Sequence, residues 1–201
     1  MIPTGRRTRI VLCLLLASAL VSAQDYDSTH LVTRGQVNLD GHTHTYVIEH
    51  LPPASFPNLP LAVSGELTER GCLIPQTYEA HRPENVIHGS FEQHGSSDWA
   101  ALCSVDGNVS LLVFFAGASD PTVLASEPET DCLQAYSASN VLGFNWGIDT
   151  AAPETVHEAQ LGMRRPPPRL DHDALADSVI ERRTIYRMFA NGAWTVIDTR
   201  D

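Results

Sequence analysis

Apolar and polar positions change places in short bursts along most of the chain, and turn residues separate the bursts. Leu31–Leu39 and His42–Glu49 flank Asp40-Gly41; Asp98–Ser104 and Val109–Ala116 flank Asp106-Gly107; Thr184–Ala190 and Ala193–Thr199 flank Asn191-Gly192. Asp-Gly and Asn-Gly accept positive φ at both central positions of a two-residue turn, so each pair of runs predicts a β-hairpin. Val86–Phe91, Leu133–Ser137 and Val141–Ile148 read as further strands. About nine strands result.

One segment follows a helical period instead. Leu59, Ala62, Val63 and Leu67 fall on one face, with Glu66, Glu69 and Arg70 on the other. Asn58 stands where an N-cap belongs, and Gly71 where a left-handed C-terminal cap belongs. The spacing predicts a helix over Leu59–Arg70 that delivers Cys72 to whatever it packs against. A weaker helical turn is expected from Thr150, near Pro153 and Glu154. Leu51–Pro60, with four prolines, and Arg164–Arg169, an Arg-Arg-Pro-Pro-Pro-Arg run, read as connectors. The whole predicts a β-dominated α+β fold: two packed antiparallel sheets built from hairpins, with one short helix against one of them.

The N-terminus has a different pattern. Arg6, Arg7 and Arg9 precede an apolar run from Ile10 to Val21, and Val21-Ser22-Ala23 then offers small residues before Gln24. This is the three-part layout of a cleavable secretory signal, expected over residues 1–23. The run is too short to span a bilayer, and no later stretch is longer, so no membrane insertion is expected. Residues 24–201 then form a single β-rich domain. Cys13 lies inside the apolar run rather than at its end, which argues against a lipid anchor.

Charge narrows the partners. All thirteen basic residues are arginine, against 24 Asp and Glu, for a formal charge of −11. Removing the leader takes three arginines and no carboxylate, so the exported chain is more acidic still. Such a surface disfavours nucleic acid and anionic membranes. Another envelope or extracellular protein remains an allowed partner. Past the leader stand Cys72, Cys103 and Cys132. In an oxidising compartment an odd count predicts one disulfide and one leftover thiol, and we take Cys72–Cys103 as the pair. Three reduced, buried thiols are the alternative.

Several residue sets carry candidate chemistry. Asp171, Asp173 and Asp177 lie in one acidic loop that would hold calcium if they converged. Ala174 and Leu175 stand where such a loop wants a glycine and further oxygens, and a plain turn capped by Asp side chains competes for the same residues. His42 and His44 share one strand face, and with Glu49 or His50 they have the donor types of a zinc site. Polar residues are also ordinary beside a hairpin turn. His81, His88 and His94 cluster in sequence without a standard metal spacing. No Gly-x-Ser-x-Gly elbow is present, and His157-Glu158 lacks the second histidine of a zincin helix, Leu161 standing in its place. Trp99, Trp146 and Trp194 each fall on a predicted strand, as packing residues or ligand platforms.

Within Asn85–Gly117, the skeleton Gly89, Phe91, Gly95, Asp98, Ala100 resembles an FG-GAP repeat, the blade unit of integrin-type propellers. The resemblance implies a strand ending at Gly89, a loop bent at Gly95, and Asp98 opening the next strand while bonding the loop. A complete propeller needs more blades than this chain holds. The calcium-binding form of the repeat has oxygen donors at alternate loop positions; here they are Ser90, Glu92, His94 and Asp98, a weakened set. Together with Arg70-Gly71-Cys72-Leu73-Ile74-Pro75-Gln76, the block also resembles a group of uncharacterised bacterial exported proteins. That resemblance implies fold and location and brings no activity. In a bacterial chain the sequon Asn108-Val109-Ser110 would carry no meaning.

Three functional expectations follow. The first is an exported, non-enzymatic binding or structural module, with no resident cofactor. The second is an envelope hydrolase whose histidine and carboxylate converge in a cleft from distant positions. The third is a calcium-stabilised module built on Asp171, Asp173 and Asp177.

Overall fold

The computed structural model describes residues 31–136, 141–161 and 163–198. The leader expected over residues 1–23 lies outside the described residues, as does the end of the Leu133–Ser137 run. The described chain begins with β1 (Val32–Leu39), β2 (His42–Leu51), α1 (Leu61–Glu69) and β3 (Ile74–Gln76). It continues through β4 (Val86–Gly89), β5 (Asp98–Val105), β6 (Asn108–Phe114), β7 (Thr122–Pro128), β8 (Leu133–Ala135) and β9 (Leu142–Phe144). It ends with β10 (Trp146–Ala151), α2 (Pro153–Gln160), β11 (Ala174–Val179), β12 (Arg183–Ala190) and β13 (Ala193–Asp198).

The fold is β-dominated, as the pattern predicts, but it holds three sheets rather than two. Sheet A has the order β1-β2-β9-β8, with β3 pairing the end of β2; sheet B runs β4-β5-β6-β7; sheet C runs β10-β11-β12-β13. The third sheet comes from one apolar run doing two jobs. Val141–Ile148 reads as one strand, yet Asn145 divides it. Leu142–Phe144 pairs with β8 and, in parallel, with β2, whereas Trp146–Ala151 pairs with β11. Asn145 is the hinge: its N–H donates to the Cys132 carbonyl and its own carbonyl accepts from Ile180 N. The strand therefore leaves sheet A and enters sheet C without a turn residue.

All three predicted hairpins form. Asp40-Gly41, Asp106-Gly107 and Asn191-Gly192 have φ values of 52 and 78, 50 and 78, and 53 and 78 degrees. Both central residues are left-handed in each, which matches the twist of the strands they join.

Sheet B is the centre of the molecule, and its alternation shows it. Ala100, Leu102, Val109, Leu111 and Val113 face sheet A, meeting Ile48, Leu133, Leu142 and Phe144. Ala101, Cys103, Leu112 and Phe114 face the other way, onto Val63 and Leu67 of α1. The helix starts two residues later than the sequence suggests, at Leu61 behind Pro60. The proline ring disfavours helical dihedrals at Leu59, which is buried but lies ahead of the helix. At the other end Gly71 (φ 74) closes the helix: Gly71 N–H bonds Thr68 O, and Cys72 N–H bonds Leu67 O. That paired closure aims Cys72 at β5. Cys72 and Cys103 form a disulfide with Cα atoms 5.0 Å apart. Closing a loop of this length contributes about 3.5 kcal/mol in the chain-entropy account.

The weak turn expected after Thr150 is a full second helix, α2. Pro153 sits at its first position, where a missing N–H does no harm. Val156 joins Ala151, Ala174, Met188 and Ile197 in a small core of its own against sheet C.

Candidate functional site

The three aspartates expected to share a cation have separate partners. Asp173 Oδ2 accepts from Ser90 N at 2.9 Å, and Asp173 N–H returns a bond to Ser90 O, so this residue clips its loop to the end of β4. Asp171 is exposed and accepts from His172 Nδ1 at 2.9 Å, a bond that holds its carboxyl below the usual range. Asp177 lies on β11 and faces another way. Its Oδ1 accepts from Trp146 Nε1 at 2.7 Å and its Oδ2 from Arg187 Nε at 2.7 Å. Among the described residues, no three His, Cys, Asp or Glu side chains stand close enough together to hold a metal ion.

The histidines also go separate ways. His42 and His50 are eight residues apart on the single strand β2, roughly 27 Å at strand rise, so they cannot share a zinc ion. His88 bonds Ser97 Oγ and lies against the Trp99 ring, while His94 bonds the Asp171 carbonyl. In the loop after β4, Asp98 is fully buried and acts as the loop's clamp. It accepts from Glu92 N and Ala116 N, both at 2.8 Å, and from Ser96 Oγ. The oxygen donor with most calcium potential in that loop is thus taken by backbone N–H groups. Gly89 is required by packing: a Cβ there would stand 2.8 Å from the Phe91 ring.

Two groupings stand out that the sequence alone does not bring together. The first joins His50 on β2, Ser104 on β5 and Glu129 in the 3-10 turn Glu129–Asp131, all nine-tenths or more buried. His50 Nε2 donates to Glu129 Oε1 at 2.7 Å, and Ser104 Oγ donates to the same oxygen. His50 Nδ1 is buried without a partner. The three line a half-open cavity of about 410 Å³ together with Thr33 and Asp106. Burial pushes the Glu129 carboxyl up, but the bonds from His50 and Ser104 outweigh it and hold it below its ordinary 4.5. A lowered carboxyl stabilises the fold fully above the unfolded-state value and stops doing so as pH falls through the folded-state value. We therefore expect the acid limb of stability, below about pH 4.5, to be shallower in Glu129→Gln than in the parent. Superimposable acid limbs in urea titrations would show that the pair carries no pH-dependent stability.

The second grouping is a cavity of about 340 Å³ where all three sheets meet. Sheet C supplies Asp177, Arg183, Ile185 and Arg187; the β11–β12 turn supplies Arg182; β10 supplies Trp146. The rest of the charged lining comes from the other sheets' segments, Glu127 at the end of β7 and Asp131 before β8, with Cys132 beside it. The alternation of β12 explains the arginine wall, since positions 183, 185 and 187 share a face. Two of the arginines are fixed by carboxylates: Arg187 by Asp177, with Nη2 at 2.6 Å from Oδ2, and Arg183 by Asp198.

Cys132 is the one free cysteine among the described residues, and it is buried beside this cavity. Burial, and then the charges of Glu127, Asp131, Glu129 and Asp177, push its thiol up to about 12. The thiolate is the reactive form, so alkylation at pH 8 should run roughly a thousandfold slower than for an ordinary cysteine. Mass spectrometry after iodoacetamide treatment should find Cys132 labelled only when the chain is unfolded. Labelling of the folded protein at the rate of a free thiol would contradict this burial.

The trypophans divide between packing and this cavity. Trp99 lies at a tilt against His88; Trp194 joins Phe115 and Phe189 in an aromatic cluster; Trp146 lines the junction. No family model matches the chain, and neither a curated protein nor a solved structure matches it significantly.

Proposed function

We propose that the chain is exported and works as a non-catalytic binding module, with the three-sheet junction as its binding site. The observation that carries this reading is the junction itself. It is a concave, charged cavity with a Trp146 wall, and its Arg187 is already held in place by Asp177. Clefts between packed units, lined by fixed polar groups, are where small ligands bind. The buried Cys72–Cys103 disulfide and the leader pattern support export, since disulfides persist in oxidising compartments. Among the described residues no helix is long and apolar enough to cross a membrane.

The chain, expressed with its leader in a bacterial host, should be recovered from the periplasm with Gln24 as its first residue. Native mass spectrometry of that material should show a bound small molecule, released chemically unchanged on denaturation. Retention of the intact leader in the cytoplasm would refute export, and release of a cleaved product would refute the non-catalytic reading.

The hydrolase reading has one observation in its favour, the convergence of His50, Glu129 and Ser104. Their order argues against acyl transfer. A serine nucleophile needs the histidine to take its proton, with the carboxylate behind the histidine. Here serine and histidine both bond one carboxylate oxygen, and the histidine does not stand between them. A fluorophosphonate probe should leave Ser104 unlabelled; labelling there would favour the hydrolase.

A further inference from the structure

The charges of the junction cavity are sorted by wall, and this names a ligand class. This step rests on the binding reading above and specifies what binds. On the sheet C side stand Arg182, Arg183 and Arg187, with Asp198 and Asp177 holding the last two. Arg182 forms no side-chain hydrogen bond or ion pair among the described residues. On the facing side Glu127 and Asp131 are likewise uncommitted. Both carboxylates come from one stretch of chain, Glu127 at the end of β7 and Asp131 in the 3-10 turn before β8, whereas the arginines belong to sheet C and its β11–β12 turn. Trp146 and Ile185 add apolar surface to the lining.

A monoanion drawn to the arginines would face Glu127 and Asp131. A monocation drawn to the carboxylates would face Arg182. A small molecule with opposite charges at its two ends satisfies both walls, since guanidinium is suited to a carboxylate and a carboxylate to an ammonium group. At about 340 Å³ the cavity is at the small end of ligand sites. We propose that it binds a zwitterion of the free amino-acid type, carboxylate toward Arg182 and Arg187, ammonium toward Glu127 and Asp131, and an apolar side chain against Trp146 and Ile185.

Thermal unfolding of the purified protein with leucine tests this, with leucine amide, N-acetyl-leucine and inorganic phosphate as single-charge probes and the other proteinogenic amino acids alongside. A saturable rise of several degrees is expected with at least one apolar amino acid. The single-charge derivatives should bind at least about tenfold more weakly, the loss expected for one charge-assisted contact. Arg182→Gln, a change at an exposed residue, should weaken binding by a similar factor without lowering the ligand-free midpoint. An equal rise with N-acetyl-leucine or phosphate would overturn the proposal in favour of a plain anion site. An equal rise with leucine amide would overturn it in favour of a cation site. No rise with any amino acid would also overturn it, and recovery of another unchanged compound by native mass spectrometry would then leave the binding reading standing. A bound amino acid accompanied by a cleaved product would uphold the ligand class and refute the non-catalytic reading.

Discussion

Asp177→Ala should destabilise the fold by about 3–5 kcal/mol, the range for removing one partner of a buried ion pair. In a domain of this size that lowers the thermal midpoint by roughly 10 °C. Asp177 and Arg187 have side chains only 9% and 16% exposed, so removing the carboxylate leaves a largely desolvated guanidinium without its counter-charge. It also strands the Trp146 indole N–H, which donates to Asp177 Oδ1. The double variant Asp177→Leu/Arg187→Met should recover most of the loss, because it removes the orphaned charge as well as its partner. The same experiment separates two roles for Asp177. A calcium ligand would make the loss depend on calcium and vanish in EDTA, whereas an ion-pair partner gives the same loss in both. A single-variant loss below about 1 kcal/mol would mean the pair is solvated and contributes as surface pairs do.

Local signals in the sequence are legible where one residue type has one geometric use. Asp-Gly and Asn-Gly specify a left-handed pair, and all three hairpins follow. Gly71 specifies a helix stop, and with it the approach of Cys72 to Cys103. The Gly89–Asp98 skeleton specifies a loop clamped by its aspartate, and Asp98 bonds the backbone there. The first helix starts at Leu61 rather than Leu59, because an amphipathic period does not register the restriction that Pro60 puts on the residue before it.

What was illegible is long-range. Glu129 has no motif around it, and its meeting with His50 and Ser104 joins positions 79 and 25 residues apart. The three-sheet division was hidden for a related reason. Periodicity describes which face a residue takes and is silent about which strand it pairs with. The run Val141–Ile148 keeps its apolar character while changing sheets, so only Asn145's bonds to Cys132 and Ile180 reveal the break. Asp171, Asp173 and Asp177 illustrate the converse. They are near in sequence, but the onset of β11 between Asp173 and Asp177 sends the last of them to a different neighbour. The arginine wall of the junction was in principle readable, as alternate positions 183 and 187 on one strand, but its acidic counterpart comes from β7 and the turn after it.

Asn85→Ala should be as damaging as the loss of Asp177, again by about 3–5 kcal/mol, for reasons entirely of hydrogen bonding and backbone shape. Asn85 is 1% exposed and stands where the three sheets touch. Its side-chain Nδ2 donates to Pro75 O of sheet A at 2.8 Å and to Trp146 O of sheet C at 3.2 Å. Its Oδ1 accepts from Ile148 N at 3.0 Å, and its backbone carbonyl accepts from Leu102 N of sheet B. Alanine would leave the Ile148 N–H and two carbonyls without partners in a site closed to water. It would also have to hold φ at 66°, a left-handed conformation that asparagine tolerates better by about 1 kcal/mol. Asn85→Gly removes the same bonds and relieves the backbone, so it should be less harmful than alanine by about that amount. Urea unfolding of the two variants separates the terms: their difference measures the strain, and the glycine loss that remains measures the bonds. If Asn85→Gly were as stable as the parent, the sheets would be held together by their apolar cores alone. A glycine variant no better than alanine would instead place the whole effect in the lost bonds, with nothing stored in the backbone.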